Sequence, residues 1–222
     1  MIGNITKSYG QNNVFKDLHL QIHEGEITCI LGASGVGKTT LLRILGGLTS
    51  YEGELQNMPS SSAMVFQTPR LLPHLTAIEN ITYVGATEEQ AKTALQKAEI
   101  AYCKNQLAAT LSGGEQQRVA LARAFCTDTS LWLLDEPFSA LDTPLKLRLW
   151  QTFATLWQEK RPTTVFVTHD LEEAWALGHR ILLLKEGKIV REWLPNRSQF
   201  PTPYGEWTEE KREFVAAVLQ EN

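Results

Sequence analysis

The 222-residue chain is 43% apolar and 21% charged, enough to build a packed core and too apolar for an intrinsically disordered segment. Its formal net charge of −4 argues against nucleic acid as the main partner, since a phosphate-binding face is read from an excess of Lys and Arg. The length suits one sizeable α/β domain, or one domain carrying a small subdomain.

In chain order, the opening MIGNITKSYG lacks the apolar run of a secretory leader. ITCIL (Ile27 to Leu31) predicts a strand, followed by a Gly-rich loop and a helix through about Leu45. SAMVF (Ser62 to Phe66) predicts another strand, after which the character changes. Thr76 is placed to cap a short helix, and Thr87-Glu88-Glu89-Gln90 fits a capping box opening a helix to about Ile100. The stretch from Gln67 to Leu111 therefore reads as a helical insert in an α/β core. LWLLD (Leu131 to Asp135) and TVFVT (Thr164 to Thr168) are apolar runs of the kind buried parallel strands show. RILLL, Glu186-Gly187 and KIVREW predict a hairpin, and Thr208 opens an amphipathic last helix after Pro195, Pro201 and Pro203. Cys29, Cys103 and Cys126 are odd in number, with no CxxC pair, which excludes a disulfide framework or zinc site and fits a reducing compartment. The longest uncharged apolar stretches, such as Ile181 to Leu184, fall far short of the roughly 20 residues that span a bilayer.

GASGVGKT, from Gly32 through Ala33, Ser34, Gly35, Val36, Gly37 and Lys38 to Thr39, matches the G-x-x-x-x-G-K-[ST] pattern between a predicted strand and helix. Glycines let backbone N–H groups wrap a β-phosphate, and the helix start, with Thr40 next in line, adds partial positive charge. Lys38 reaches β- and γ-phosphates and the Thr39 hydroxyl ligates Mg²⁺ in this pattern. Asp135 closes the buried run LWLLD, where a carboxylate holds the cation directly or through water, and Glu136 follows as a candidate base for water attacking the γ-phosphate. The expected ligands are ATP and Mg²⁺.

LSGGEQQR (Leu111 to Arg118) sets two poor helix formers, Gly113 and Gly114, before a polar helix. Ser112 is the N-cap, and glycines there let first-turn N–H groups, with Glu115 beside them, approach an anion. Together these stretches resemble the ABC ATPases, the nucleotide-binding subunits of ABC transporters. The resemblance covers nearly the whole chain. It implies a P-loop NTPase (RecA-like) core, with a mainly parallel sheet, an antiparallel β portion and an inserted α-helical subdomain. The single nucleotide-binding domain would span 1–222, with the core at about 1–67 and 123–222 and the helical part at about 68–122. Tyr9 in KSYG resembles the aromatic that stacks on adenine, with Val14 packing nearby. Gln67 resembles the Q-loop glutamine that touches Mg²⁺, Asp142 closes a D-loop-like SALD, and His169 in VFVTHD resembles the switch histidine at the γ-phosphate. On the same resemblance, the anion at Ser112–Glu115 is the γ-phosphate held by a second copy, two ATP molecules being sandwiched in a head-to-tail dimer.

Two functional classes follow. DEPFSALD, QTPRLLPHLTAIENI and VTHDLEEAWAL resemble importer subunits for nitrate, sulfonate, taurine or thiamine. Such a subunit acts at the cytoplasmic face of the inner membrane with a permease and, indirectly, a solute-binding protein outside the cell. The alternative is a non-transport or stand-alone ABC ATPase acting on a soluble or cell-envelope protein complex. The sequence departs from the family in a short 53–62 segment, a compact helical insert and His179 where Asp is common. All three lie where partners dock, away from the catalytic set.

Overall fold

A computed structural model describes residues 1–196 and 199–221. Contacts group these residues into two units. The first comprises Met1–Ser62, Ser130–Asp135 and the chain from Arg161 onward; the second comprises Ala63–Thr129 and Glu136–Lys160.

In the first unit, β3 (Ile27–Leu31), β6 (Leu131–Asp135) and β7 (Thr163–Thr168) are buried along their whole length. Continuous apolar runs of this kind belong in a sheet covered on both faces. The order is β6-β7-β3-β8-β9, where β8 is Arg180–Lys185 and β9 is Lys188–Trp193. The first four are parallel, while β9 returns antiparallel to β8 through the expected Glu186-Gly187 turn. A second sheet, in order β2-β1-β4, is antiparallel and built from β1 (Ile2–Tyr9), β2 (Asn12–Gln21) and β4 (Glu52–Gln56). Helices α1 (Lys38–Leu45), α6 (Leu171–Leu177) and α7 (Glu209–Glu221) complete this unit. The inward face of α1 buries Leu41 and Leu42 completely. At the start of α7 the Thr208 hydroxyl accepts from the Lys211 N–H at 3.2 Å, as its capping role requires.

The second unit is mostly helical: β5 (Ala63–Val65), then α2 (Ala77–Thr82), α3 (Glu88–Lys97), α4 (Gly113–Phe125) and α5 (Thr143–Lys160). Capping boxes at Thr76 and Thr87 start α2 and α3, each side chain accepting from the N3 amide while Glu79 or Gln90 reaches back. A small core of Ala77, Ile81, Ala91, Leu95, Ile100 and Val119 joins α2, α3 and α4. Asn80, wholly buried between them, spends its amide on Leu72, Leu75 and Thr76 carbonyls and accepts from the Leu72 N–H at 2.8 Å. That satisfies a polar group whose burial would otherwise be costly.

Candidate active site

Strand β3 leads straight into the Gly-rich loop. Gly35 and Gly37 both adopt left-handed backbone, with φ of 81° and 111°. A Cβ on Gly37 would lie 2.7 Å from Val14 Cγ1 and 2.9 Å from the Phe15 ring, so only glycine lets the loop close against β2. Gly37 is also the N-cap of α1 and supplies no side-chain acceptor. The first-turn N–H groups therefore face the loop, carrying the helix's partial positive charge. Lys38 is only 6% exposed, and its ammonium donates to the Gly32 and Ala33 carbonyls at 2.6 and 3.0 Å. A tight cradle, an uncapped helix start and a folded-back ammonium together fit a polyphosphate. Ser34, Val36, Thr39 and Thr40 belong to the same turn and first helical residues.

Strand order brings further groups to this edge. Leu31 pairs with Thr168 on β7, and Asp135 at the end of β6 pairs with Val167. Asp135 (2% exposed) and His169, which follows Thr168, thus lie along the carboxyl edge from which the P-loop rises. This is where open α/β sheets carry their ligands. The Thr168 hydroxyl donates to Glu173 at 2.7 Å and accepts the Asp170 N–H at 3.0 Å, and Asp170 caps α6. His169 is thus fixed between a strand end and a helix start. Thr168 and Glu173 were not singled out from sequence; a Glu three residues after an Asp cap was the available signal. Val14, expected beside Tyr9, lies with its Cγ1 against Gly37 of the P-loop. Tyr9 ends β1 with 48% of its surface exposed, and the Lys7 ammonium sits 4.7 Å over its ring.

Within the second unit, Gln67 follows β5 and its amide donates to the Glu136 carboxylate at 3.4 Å. Glu136 has a left-handed φ of 46°, uncommon for a residue with a side chain. Its carbonyl accepts from the Ser139 hydroxyl at 2.9 Å and from the Ser139 N–H at 3.2 Å, tightening the turn that leads to Asp142.

Ser112 caps α4 through a complete capping box: Glu115 accepts from the Ser112 N–H and hydroxyl, both at 2.8 Å. Those donors, backbone first, hold the Glu115 carboxyl below its ordinary range. The Tyr102 hydroxyl donates to the other Glu115 oxygen at 2.8 Å and accepts from Arg118 at 3.1 Å. Burial, then the Glu115 acceptor, pushes the Tyr102 phenol up. Arg118 also donates to the Glu99 carbonyl at 2.6 Å, and Glu99 pairs with Arg148 at 2.7 Å. Tyr102, Glu99 and Arg148 carried no readable pattern, because a network from the segment after α3 to α4 and α5 has no fixed sequence spacing. A Cβ on Gly113 would meet nothing within 4 Å, and one on Gly114 would meet the Ala140 carbonyl at 3.4 Å.

Fold and loop together define a P-loop nucleoside triphosphatase. The ABC transporter family model matches residues 15–139. The chain is 43% identical over 190 residues to the aliphatic sulfonates import ATP-binding protein SsuB 1 of Pseudomonas syringae pv. tomato, covering 84% of this chain and 70% of that protein. The corresponding protein of Pseudomonas fluorescens is 44% identical over 207 residues, covering 90% and 79% of the two chains. Among solved structures, the ATP-binding cassette MJ0796, in a dimeric post-hydrolysis state bound to ADP and Pi, superposes with a TM-score of 0.78. It shares 35% identity, over 88% of this chain and 99% of that one. The chain belongs to the ABC transporter family, as an ATPase subunit. No described helix is long and apolar enough to cross a membrane.

Proposed function

We propose that this chain is the ATP-hydrolysing subunit of an importer for small organic anions of the aliphatic sulfonate class. The glycine cradle closed by Lys38 carries the nucleotide part of that reading. The identity to aliphatic sulfonate import ATP-binding proteins, across 84% of the chain, supports the substrate class. Gly32 through Thr40 grip the triphosphate, Lys38 neutralising β- and γ-oxygens, while Val14 and Tyr9 flank the base. Thr39 and Asp135, and Gln67 by the family resemblance, would hold Mg²⁺, an oxygen-loving cation that usually keeps several waters and needs few protein ligands. When bound, the cation supplies charge neutralisation at the β- and γ-phosphates.

Glu136 takes a proton from the attacking water, held in orientation by the Gln67 amide. His169, braced by Thr168 and Asp170, stabilises charge on the γ-phosphate. Ser112, Gly113, Gly114 and Glu115 meet the γ-phosphate bound to a second copy, with Asp142 at the same junction. Binding then closes the pair and hydrolysis reopens it. A permease at the inner face of the cell membrane converts that cycle into transport, receiving solute from a binding protein outside.

The test is purification of the tagged chain from gently solubilised native membranes, paired with growth of a deletion strain on an aliphatic sulfonate as sole sulfur source. Co-purification of a polytopic permease, with growth lost and restored by the wild-type chain, is the expected outcome. A chain recovered only with soluble proteins would refute transport. A permease partner with unaffected sulfonate growth would refute the substrate class alone.

A further inference from the structure

Two lysines are buried among the described residues: Lys38 serves the P-loop, and Lys211 lies in α7, 1% exposed and outside any motif of the active site. A buried ammonium persists only where its donors are used. The Lys211 ammonium donates to Glu172 at 2.8 Å and to the Glu206 carbonyl at 2.9 Å, and lies 5.1 Å over the Trp207 ring. Glu172 is in the first turn of α6, two residues past the Asp170 cap and three past His169.

The same tail grips α6 elsewhere. Thr202 donates its N–H to the Ala176 carbonyl at 3.1 Å, Gly205 donates to Glu172 at 3.4 Å, and the buried Phe214 ring stacks 5.0 Å from Trp175. A helix of seven residues has little stability of its own, so packing and pairing set its position. In the same first turn, Glu173 accepts from the Thr168 hydroxyl, and Asp170 caps the helix by accepting from the Glu172 and Glu173 N–H groups. The His169 backbone is therefore held between a strand end and a helix start whose placement depends on the tail.

We propose that Lys211 is a positioning residue for hydrolysis, holding α6 through Glu172 so that His169 stays at the end of β7. The proposal rests on His169 contacting the γ-phosphate, the reading given above. Lys211 lies outside every motif in which the chain resembles the family, so this brace adds to that set.

The experiment uses the full chain and the variants Lys211→Met, Lys211→Arg and Glu172→Gln. Hydrogen exchange is measured across 169–177 and across α7, with kcat and KM for ATP in parallel. In Lys211→Met the amides of 169–173 should exchange on the order of tenfold faster, as loss of a local closing interaction demands. The rate kcat should fall on the order of tenfold, as sub-ångström misplacement of a catalytic group can cause, with KM nearly unchanged. Lys211→Arg should restore most of both. Added to His169→Ala, Lys211→Met should cost nothing further in kcat. Should α7 itself loosen in Lys211→Met, Glu172→Gln gives the decisive reading, because it leaves Lys211 bound to Glu206. Unchanged protection at 169–173 with α7 intact overturns the proposal, as does a rate loss additive with His169→Ala. If His169→Ala hydrolyses ATP at the wild-type rate, the role of His169 fails instead, while exchange still reports whether Lys211 holds the loop.

Discussion

Gly37→Ala separates the two demands on the P-loop. At φ of 111° an alanine lies outside every comfortable region, a strain of about 1–3 kcal/mol. Its Cβ would fall 2.7–2.9 Å from Val14 and Phe15, the latter wholly buried. Overpacking of that kind adds about 1–3 kcal/mol. Together these come to about 2–6 kcal/mol against a native stability of about 5–15. For a chain of this size each kcal/mol moves the melting temperature by about 2–4 °C. Gly35→Ala supplies the control: φ is 81°, but a Cβ there meets nothing within 4 Å. It bears only the left-handed cost of about 1–2 kcal/mol.

A thermal melt and a titration with a fluorescent ATP analogue read the two variants side by side. The strain in Gly37→Ala has two outlets. If the loop stays put, the melt drops well below that of Gly35→Ala. If the loop backs away from β2, the melt recovers but the cradle opens, and affinity falls at least about tenfold, the equivalent of 1.4 kcal/mol. Gly37→Ala matching Gly35→Ala in both melt and affinity would refute the claim that contact with β2 shapes the phosphate site.

Glu136→Gln should keep ATP affinity while lowering turnover by about 10²–10⁴-fold, the usual worth of a positioned general base; stopped-flow phosphate release measures it, and a wild-type rate would remove Glu136 from that role. The Glu115 carboxyl is held below its ordinary value by the Ser112 donors, so its support for α4 is present above that ordinary value and is lost as pH falls through the lowered one. The melting-temperature gap between wild type and Glu115→Gln should therefore close on acidification and stay constant above neutrality. Gly113→Ala fills space that is open in this chain, so the melt should hold or rise by up to about 1 kcal/mol equivalent, while ATP-driven dimerisation, followed by light scattering with Glu136→Gln in the background, should fail.

How far the fold could be read from sequence followed how local each signal was. Strands β3, β6 and β7 showed as short, mainly apolar and β-branched runs, and the caps at Thr76, Thr87 and Ser112 were visible because a capping box has a fixed spacing. Strands β1 and β2 escaped. Their pairing slips between Ile5 and Lys7, where Asp17 turns with a φ of 54°, so Phe15 and Leu18 break the period of two. Strand β4, EGELQ, has no buried residue at all; only pairing with β1 makes it a strand. Helix α5 was legible but unread: Pro144 near its start and Leu149, Trp150, Phe153 and Trp157 at helical spacing carry it. The P-loop was legible because its glycine and lysine spacing is fixed by the phosphate it cradles, while His169 and the signature stretch stood out only by their likeness to the family. Their supports were not legible, since Glu173, Tyr102 and Lys211 reach their partners through the fold.

The two glycine sites differ in what enforces them. Gly37 is required by this chain, since Val14 and Phe15 occupy the space a side chain would take. Gly113 is not: a methyl group there would touch nothing, and the backbone has no positive φ. Glycine in the first turn of a helix costs helix stability, so a folding requirement should have left alanine acceptable. Apart from its chain neighbours and its own helix backbone, no described residue of this chain lies within 4 Å of a Cβ built on Gly113. The helix start beside it is capped from within, the Ser112 side chain accepting from the Glu115 N–H. In the paired-cassette reading proposed above, the open space at Gly113 is where the anion held by a second copy would come, and Gly113→Ala tests that assignment without a folding cost to confuse it.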